Sequence, residues 1–164
     1  MAAIDIGSPA ILRATDTVAG KTYILQENPA NLSGTIDTIQ VYAHLNCNGF
    51  EAATFYNISG TNFSTRDSEY IGAVTAGSTQ TFSGLNMDVV AGDYIGFYCG
   101  SEGDVYRTDS GVGWWDDAGD QIPASNHTFF GSGSRTLSLY GTGSTPVVTA
   151  GGSNAAKLIG AGLL

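Results

Sequence analysis

Positive charge is what this chain has least of. Six Lys and Arg stand against 15 Asp and Glu, giving a net charge of −9, and no two of the six basic residues are adjacent. Binding a nucleic-acid backbone needs clustered cations, so nucleic acid is not expected as a partner. Charged residues of both signs make up 13% of the chain, about half of the roughly 25% usual in a globular domain. No window approaches the ~18 consecutive apolar residues of a membrane span, so no membrane insertion is expected. The opening residues, Met1 to Ser8, carry neither the basic nor the apolar stretch of a Sec signal peptide. The expectation is a protein that stays inside the cell or leaves it by another route, such as lysis.

The familiar catalytic signatures are missing too. There is no Gly-x-Ser-x-Gly elbow, His-Glu-x-x-His pair or phosphate-binding loop. The two histidines, His44 and His127, read as surface residues, one on a solvated strand face and one in a polar loop. Asp116 and Asp117 are sequence neighbours, and neighbours on a strand point apart, which does not suit the paired carboxylates of glycoside hydrolysis. A non-enzymatic protein without a cofactor is expected.

What is there is β-structure. The 164 residues fit one domain with a tail. The 23 glycines follow no three-residue period, so collagen is excluded. Leu85, Met87 and Val89 alternate with Asn86 and Asp88, Ala91-Gly92-Asp93 supplies turn residues, and Ile95, Phe97 and Cys99 alternate with Tyr94, Gly96 and Tyr98. That reads as strand, tight turn, strand, with Gly96 marking a bulge or a close backbone approach. Ile36 to Cys47 alternates strictly, with Ile39, Val41, Ala43, Leu45 and Cys47 on one face. Asn48-Gly49 is the strongest hairpin signal, with Phe50 to Ile58 as the return strand, and Ser59 to Glu69 reads as a polar loop. Further short strands at Ile4–Leu12, Thr22–Leu25, Tyr70–Val74, Val105–Arg107, Val112–Trp115, Thr128–Phe130 and Thr136–Tyr140 bring the count to about ten. The fold class is an all-β, antiparallel two-sheet β-sandwich, jelly-roll-like rather than immunoglobulin-like. Its core should hold Ile39, Val41, Leu45, Phe55, Val89, Ile95, Phe97, Leu137 and Leu139. Cys47 and Cys99 read first as two buried thiols packed as small hydrophobes; a disulfide between the sheets is the other reading.

The run Trp114-Trp115-Asp116-Asp117-Ala118-Gly119-Asp120 is the best candidate binding site. Indole faces stack on sugar rings, and aspartates accept hydroxyl protons at the ring edge, so Trp114, Trp115, Asp116, Asp117 and Asp120 suit a host-surface glycan or receptor. A calcium ion on Asp116, Asp117 and Asp120 would order such a loop, since hard cations take several oxygens. Set against both is the bland reading, in which the indoles fill and cap the core and the acids are solvated.

The composition shifts after residue 143. The sandwich domain is expected over 1–143, and 144–164 reads as a Gly/Ser/Thr-rich linker followed by an apolar C-terminal arm. Leu158, Ile159, Leu163 and Leu164 are its large apolar groups. Such a peptide suits addition to a partner's sheet edge; a disordered tail is the alternative.

Three stretches carry a resemblance. Val89-x-Ala-Gly-Asp-Tyr-Ile-Gly-Phe-Tyr98, then Trp115 with Gly119-Asp120-Gln121, then Arg135-Thr-Leu-Ser-Leu-Tyr-Gly-Thr-Gly143 resemble a poorly characterised β-sandwich family of tailed-phage and environmental viral structural proteins. The likeness covers roughly residues 20 to 143 and rests on strand and turn signatures, which specify fold better than function. It implies a virion component of decoration, head-fibre or tail-appendage type, assembled in the host cytoplasm and released by lysis. Its partners would be itself and other virion proteins, and the resemblance carries no catalytic residues with it.

Overall fold

The computed structural model describes residues 1–147. Its longest alternating run, β4 (Gly34–Leu45), shows how sequence becomes sheet. Ile39, Val41 and Ala43 are buried, while Gln40, Tyr42 and His44 between them stay half-buried. Ile36 is also buried, three residues before Ile39, because a register shift between Ile36 and Thr38 takes up the extra residue.

The remaining strands, in chain order, are β1 (Ala3–Gly7), β2 (Thr15–Asp16), β3 (Lys21–Leu25), β5 (Cys47–Ser59), β6 (Asn62–Val74), β7 (Thr79–Val89), β8 (Tyr94–Tyr98), β9 (Asp104–Thr108), β10 (Gly113–Ala118), β11 (His127–Thr128), β12 (Phe130–Gly133), β13 (Thr136–Leu137) and β14 (Leu139–Ser144). They form two antiparallel sheets packed as a β-sandwich. The first runs β1-β14-β4-β9-β13, with β7 also paired to β4 and β2 to β9. The second runs β11-β6-β5-β8-β3-β10-β12.

Between the sheets lies the main core, with Ile4, Ile6, Tyr23, Ile36, Val41, Phe50, Ile95, Phe97, Trp114, Leu137 and Leu139 among its members. A second, smaller core covers the opposite face of the second sheet. There Ile24, Ala53, Phe55 and Phe63 are roofed by Ile122, Ala124 and Phe129. This is why β3 buries both of its faces and loses the alternation expected of a half-exposed strand. Eight of the nine expected core residues are buried; Phe55 belongs to the smaller core rather than to the space between the sheets.

Leu45 departs from the expectation. It is 49% exposed, because the register slips between Ala43 and Leu45 where β4 pairs with β9 and the chain leaves the first sheet. Asn48-Gly49 does not make a hairpin. These residues lie inside β5 as a bulge, since Cys47 faces Val74 and Phe50 already faces Gly72. β4 and β5 belong to different sheets, joined by a corner at Asn46. The Ala91-Gly92-Asp93 turn is likewise a corner, not a hairpin, because β7 pairs with β4 and β8 pairs with β3 and β5. The stretch read as a polar loop, Ser59 to Glu69, is mostly strand. Gly60-Thr61 turns the chain, and β6 returns along β5 as the true hairpin.

Gly96 marks a close approach. A Cβ there would run into the Tyr23 carbonyl and the Phe55 ring, so no side chain fits between β8 and its neighbour β3. Asp93 anchors the second corner. Its buried carboxylate accepts the Val90 amide at 2.8 Å and Arg66 Nε on Oδ2, and Arg66 Nη2 at 3.0 Å on Oδ1.

Cys47 and Cys99 form a disulfide, so the reading as two free thiols is corrected. The bond does not join the sheets either. It ties the start of β5 to the residue after β8, two neighbours in the second sheet, with Cα atoms 5.3 Å apart. Both cysteines are buried, as their inward positions implied.

The ordered sheet runs slightly past the expected domain boundary at 143. β14 continues to Ser144, and the Thr145 amide donates to the Ala2 carbonyl at 3.0 Å. The arm residues Leu158, Ile159, Leu163 and Leu164 lie outside the described residues.

A cationic cleft at the mouth of the sandwich

The Trp114–Asp120 run is a strand and its exit turn rather than a loop. As β10 it is held between β3 and β12, with Trp115 opposite Ile24 on one side and Gly131 on the other. Strand alternation then decides what each residue meets. Trp114 and Asp116 share one face, and Trp115 and Asp117 the other.

Trp114 turns into the main core and is 5% exposed. Its ring meets Tyr23 edge-on at 5.3 Å, and the guanidinium groups of Arg135 and Arg107 sit over it at 5.1 and 5.7 Å. Trp115 packs into the smaller core against Phe63 and Tyr94, with ring centres 4.6 and 5.0 Å away. Trp114 is too buried to offer a free face for sugar stacking, while Trp115 is half-buried against the smaller core. Asp116 pairs with Lys21 at 2.8 Å. Asp117 accepts from His127 Nε2 at 2.7 Å, and that bond, ahead of any other influence, holds the Asp117 carboxyl below its ordinary pKa. Asp120 Oδ1 caps the turn by accepting the Ile122 amide at 3.0 Å. The three aspartates considered for calcium therefore each have their own partner, and they do not converge as a ligand set.

A different acidic group does converge among the described residues. Asp16, His44 and Asp104 bring one ligand atom each to within 4.8 Å of one another. His44 Nδ1 lies 3.1 Å from Asp104 Oδ1 and 3.6 Å from Asp16 Oδ2, and Asp104 also accepts the Leu45 amide at 2.9 Å. Burial pushes the Asp104 carboxyl above the usual carboxylate range, against the lowering effect of the Leu45 amide and His44. His44 is thus tied down at the corner of β4, not free on a solvated face.

The second sheet and β9 also frame a cleft of about 360 Å³ lined by Thr17, Lys21, Tyr23, Arg107, Trp114, Asp116, Ser132 and Arg135, among others. Lys21, Tyr23, Trp114 and Asp116 come from β3 and β10 in the second sheet, and Arg107 comes from β9 in the first. The cleft therefore opens where the two sheets part. Sequence reading found Trp114 and Asp116 in it but missed the three cations, because residues 21, 107 and 135 are far apart in the chain. Only the pairing of β3 with β10, and of β13 with β9, brings them together.

Compared with models of known families, with curated proteins and with solved structures, the chain matches none.

Proposed function

We propose that this chain is a non-enzymatic structural or appendage protein of a virus-like particle, of capsid-decoration or fibre type. It works by associating with itself or by docking on a larger assembly. The observation that carries this reading is the strand order. Eight strands form the body, as β1-β14-β4-β7 in one sheet and β6-β5-β8-β3 in the other. Apart from the β5–β6 hairpin, the chain changes sheet at each step from β3 to β8, and β14 returns between β1 and β4. That wrapping supports a jelly roll of eight strands and two Greek keys, an architecture much used in viral capsids. Fold alone does not fix function; the viral reading also leans on the resemblance of residues 20 to 143 described above. The alternative of a glycan- or receptor-binding module working through Trp114 and Trp115 is less well supported, since both indoles are engaged in packing.

The C-terminal arm is the element through which assembly would act. Fully burying a Leu or Ile is worth roughly 1.5–3 kcal/mol, so Leu158, Ile159, Leu163 and Leu164 together suffice to hold a neighbouring subunit. The test compares the full chain with one ending at Val147, a cut that spares the Thr145–Ala2 hydrogen bonds. Light scattering and particle imaging should show assemblies of the full chain and a folded, unassembled truncated form. Unchanged assembly on truncation would sink the role of the arm. A full chain that remains monomeric, alone and with candidate particles, would sink the structural reading itself.

A further inference from the structure

The cleft at the sandwich mouth concentrates positive charge in a chain that has little to spend. Lys21, Arg107 and Arg135 line it, three of the six basic residues present, against the single lining carboxylate of Asp116. The two guanidinium groups crowd each other over Trp114. Burial first, and then the charge of Arg135, lower the pKa of Arg107. Folding gains nothing from bringing like charges together unless an anion sits between them.

One does, and it comes from the chain itself. Asp109 Oδ1 receives Arg135 Nη1 at 3.0 Å and faces Arg107 Nη1 as well. Asp109 lies between β9 and β10, and its side chain is 62% exposed. This carboxylate is held by the arginines alone, on a segment open to water, and an incoming carboxylate can replace it at little structural cost. The remaining walls suit a hydroxylated body attached to that carboxylate. Thr17 contributes a hydroxyl whose oxygen already accepts the Val105 amide, leaving its proton to donate. Asp116 and Lys21 supply an acceptor and a donor, and Tyr23 and Trp114 also line the cleft. The volume suits one or two sugar rings.

We infer that this cleft binds an acidic saccharide, with a uronate carboxylate displacing Asp109 from between Arg107 and Arg135 and the ring hydroxyls meeting Thr17, Lys21 and Asp116. Asp109 is then an internal competitor for the two guanidinium groups that line the cleft. The inference does not depend on assembly: an unassembled chain binds equally well.

The experiment is calorimetric titration of the full chain with a galacturonate trisaccharide, its neutral galactose counterpart and inorganic sulfate. Binding is expected for the uronate alone. Arg135→Gln should weaken it about tenfold, the effect of losing one charge-assisted hydrogen bond. Asp109→Ala should tighten it about threefold or more, because the competent state is no longer taxed by the internal carboxylate. A merely structural Asp109 gives no such gain. Should Arg135→Gln unfold the protein, Lys21→Gln replaces it, with weakening again expected. Equal binding of the neutral sugar, or no uronate binding, overturns the inference. So does an Asp109→Ala variant that binds no better, and sulfate binding as tightly as uronate overturns the saccharide assignment.

Discussion

Breaking the Cys47–Cys99 bond should destabilise the protein about as much as truncating a large side chain in the main core. The bridge closes a loop of 52 residues. Loop-closure entropy for that length amounts to about 14 cal/mol/K, or about 4 kcal/mol at room temperature. The loop it closes includes β5, β6, β7 and β8, which carry strands of both sheets, so the constraint acts on the whole body. For a chain of this size each kcal/mol moves the melting temperature by roughly 2–4 °C, so reduction should lower it by about 10 °C. Both cysteines are buried, and a reductant acts only when the fold opens; the comparison is best made with a Cys47→Ala, Cys99→Ala double variant alongside protein refolded under reducing conditions. Circular dichroism melts provide the readout. Mass analysis without reductant checks the premise directly, since two free thiols add two hydrogens. Finding the thiols free, or identical melting curves for the oxidised and double-variant proteins, would refute the reasoning.

Leu139→Ala removes a side chain fully buried between the sheets and should cost about 2–5 kcal/mol, read from denaturant unfolding. Trp115→Ala should cost about 1–3 kcal/mol of stability, less than a fully buried indole would, because the half-buried Trp115 packs on Phe63 and Tyr94; if it instead removes glycan binding from a fully stable protein, the packing role assigned to it is wrong. The His127 bond depresses the folded pKa of Asp117, so its contribution to stability is present above the ordinary Asp value of about 3.9 and is lost as pH falls through the lower folded value. A carboxyl titration by NMR should show Asp117 titrating below that value, and His127→Gln should return it towards normal.

The sandwich was legible in the sequence because period-two alternation survives wherever one face of a strand meets water. Val41, Ile95, Phe97 and Leu139 declared themselves that way. β3 was read as a strand at Thr22–Leu25 without such alternation, because the Ile122–Phe129 segment covers the far face of its sheet and erases the contrast. Turn chemistry misled at Asn48-Gly49, whose residues serve a bulge as readily as a hairpin. The polar composition of Ser59 to Glu69 hid β6, whose long stretch beyond β11 pairs with no second strand among the described residues and carries Arg66, Asp67 and Glu69. Among candidate site residues, Trp114 and Asp116 were found for the wrong reason. Their indole and carboxylate drew notice, yet what defines the cleft is positive charge delivered from three distant positions, and no local pattern announces that.

The eight-strand body contains none of the residues from Cys99 to Ser138; these form one excursion between β8 and β14. The cleft straddles the seam between the two parts. Arg107, Trp114, Asp116 and Arg135 belong to the excursion, and Lys21 and Tyr23 to the body. The excursion thus contributes most of the cleft and also part of the core, through Val105, Trp114 and Leu137. An engineer can exchange much of the excursion while leaving the hydrogen-bonded frame in place, provided that the new segment keeps Cys99, the core residues Val105, Trp114 and Leu137, the pairing with β3 and the roof over the Phe55–Phe63 layer. Variation confined to some 40 positions can then retune what the mouth accepts, while the frame that would meet neighbouring subunits keeps its shape.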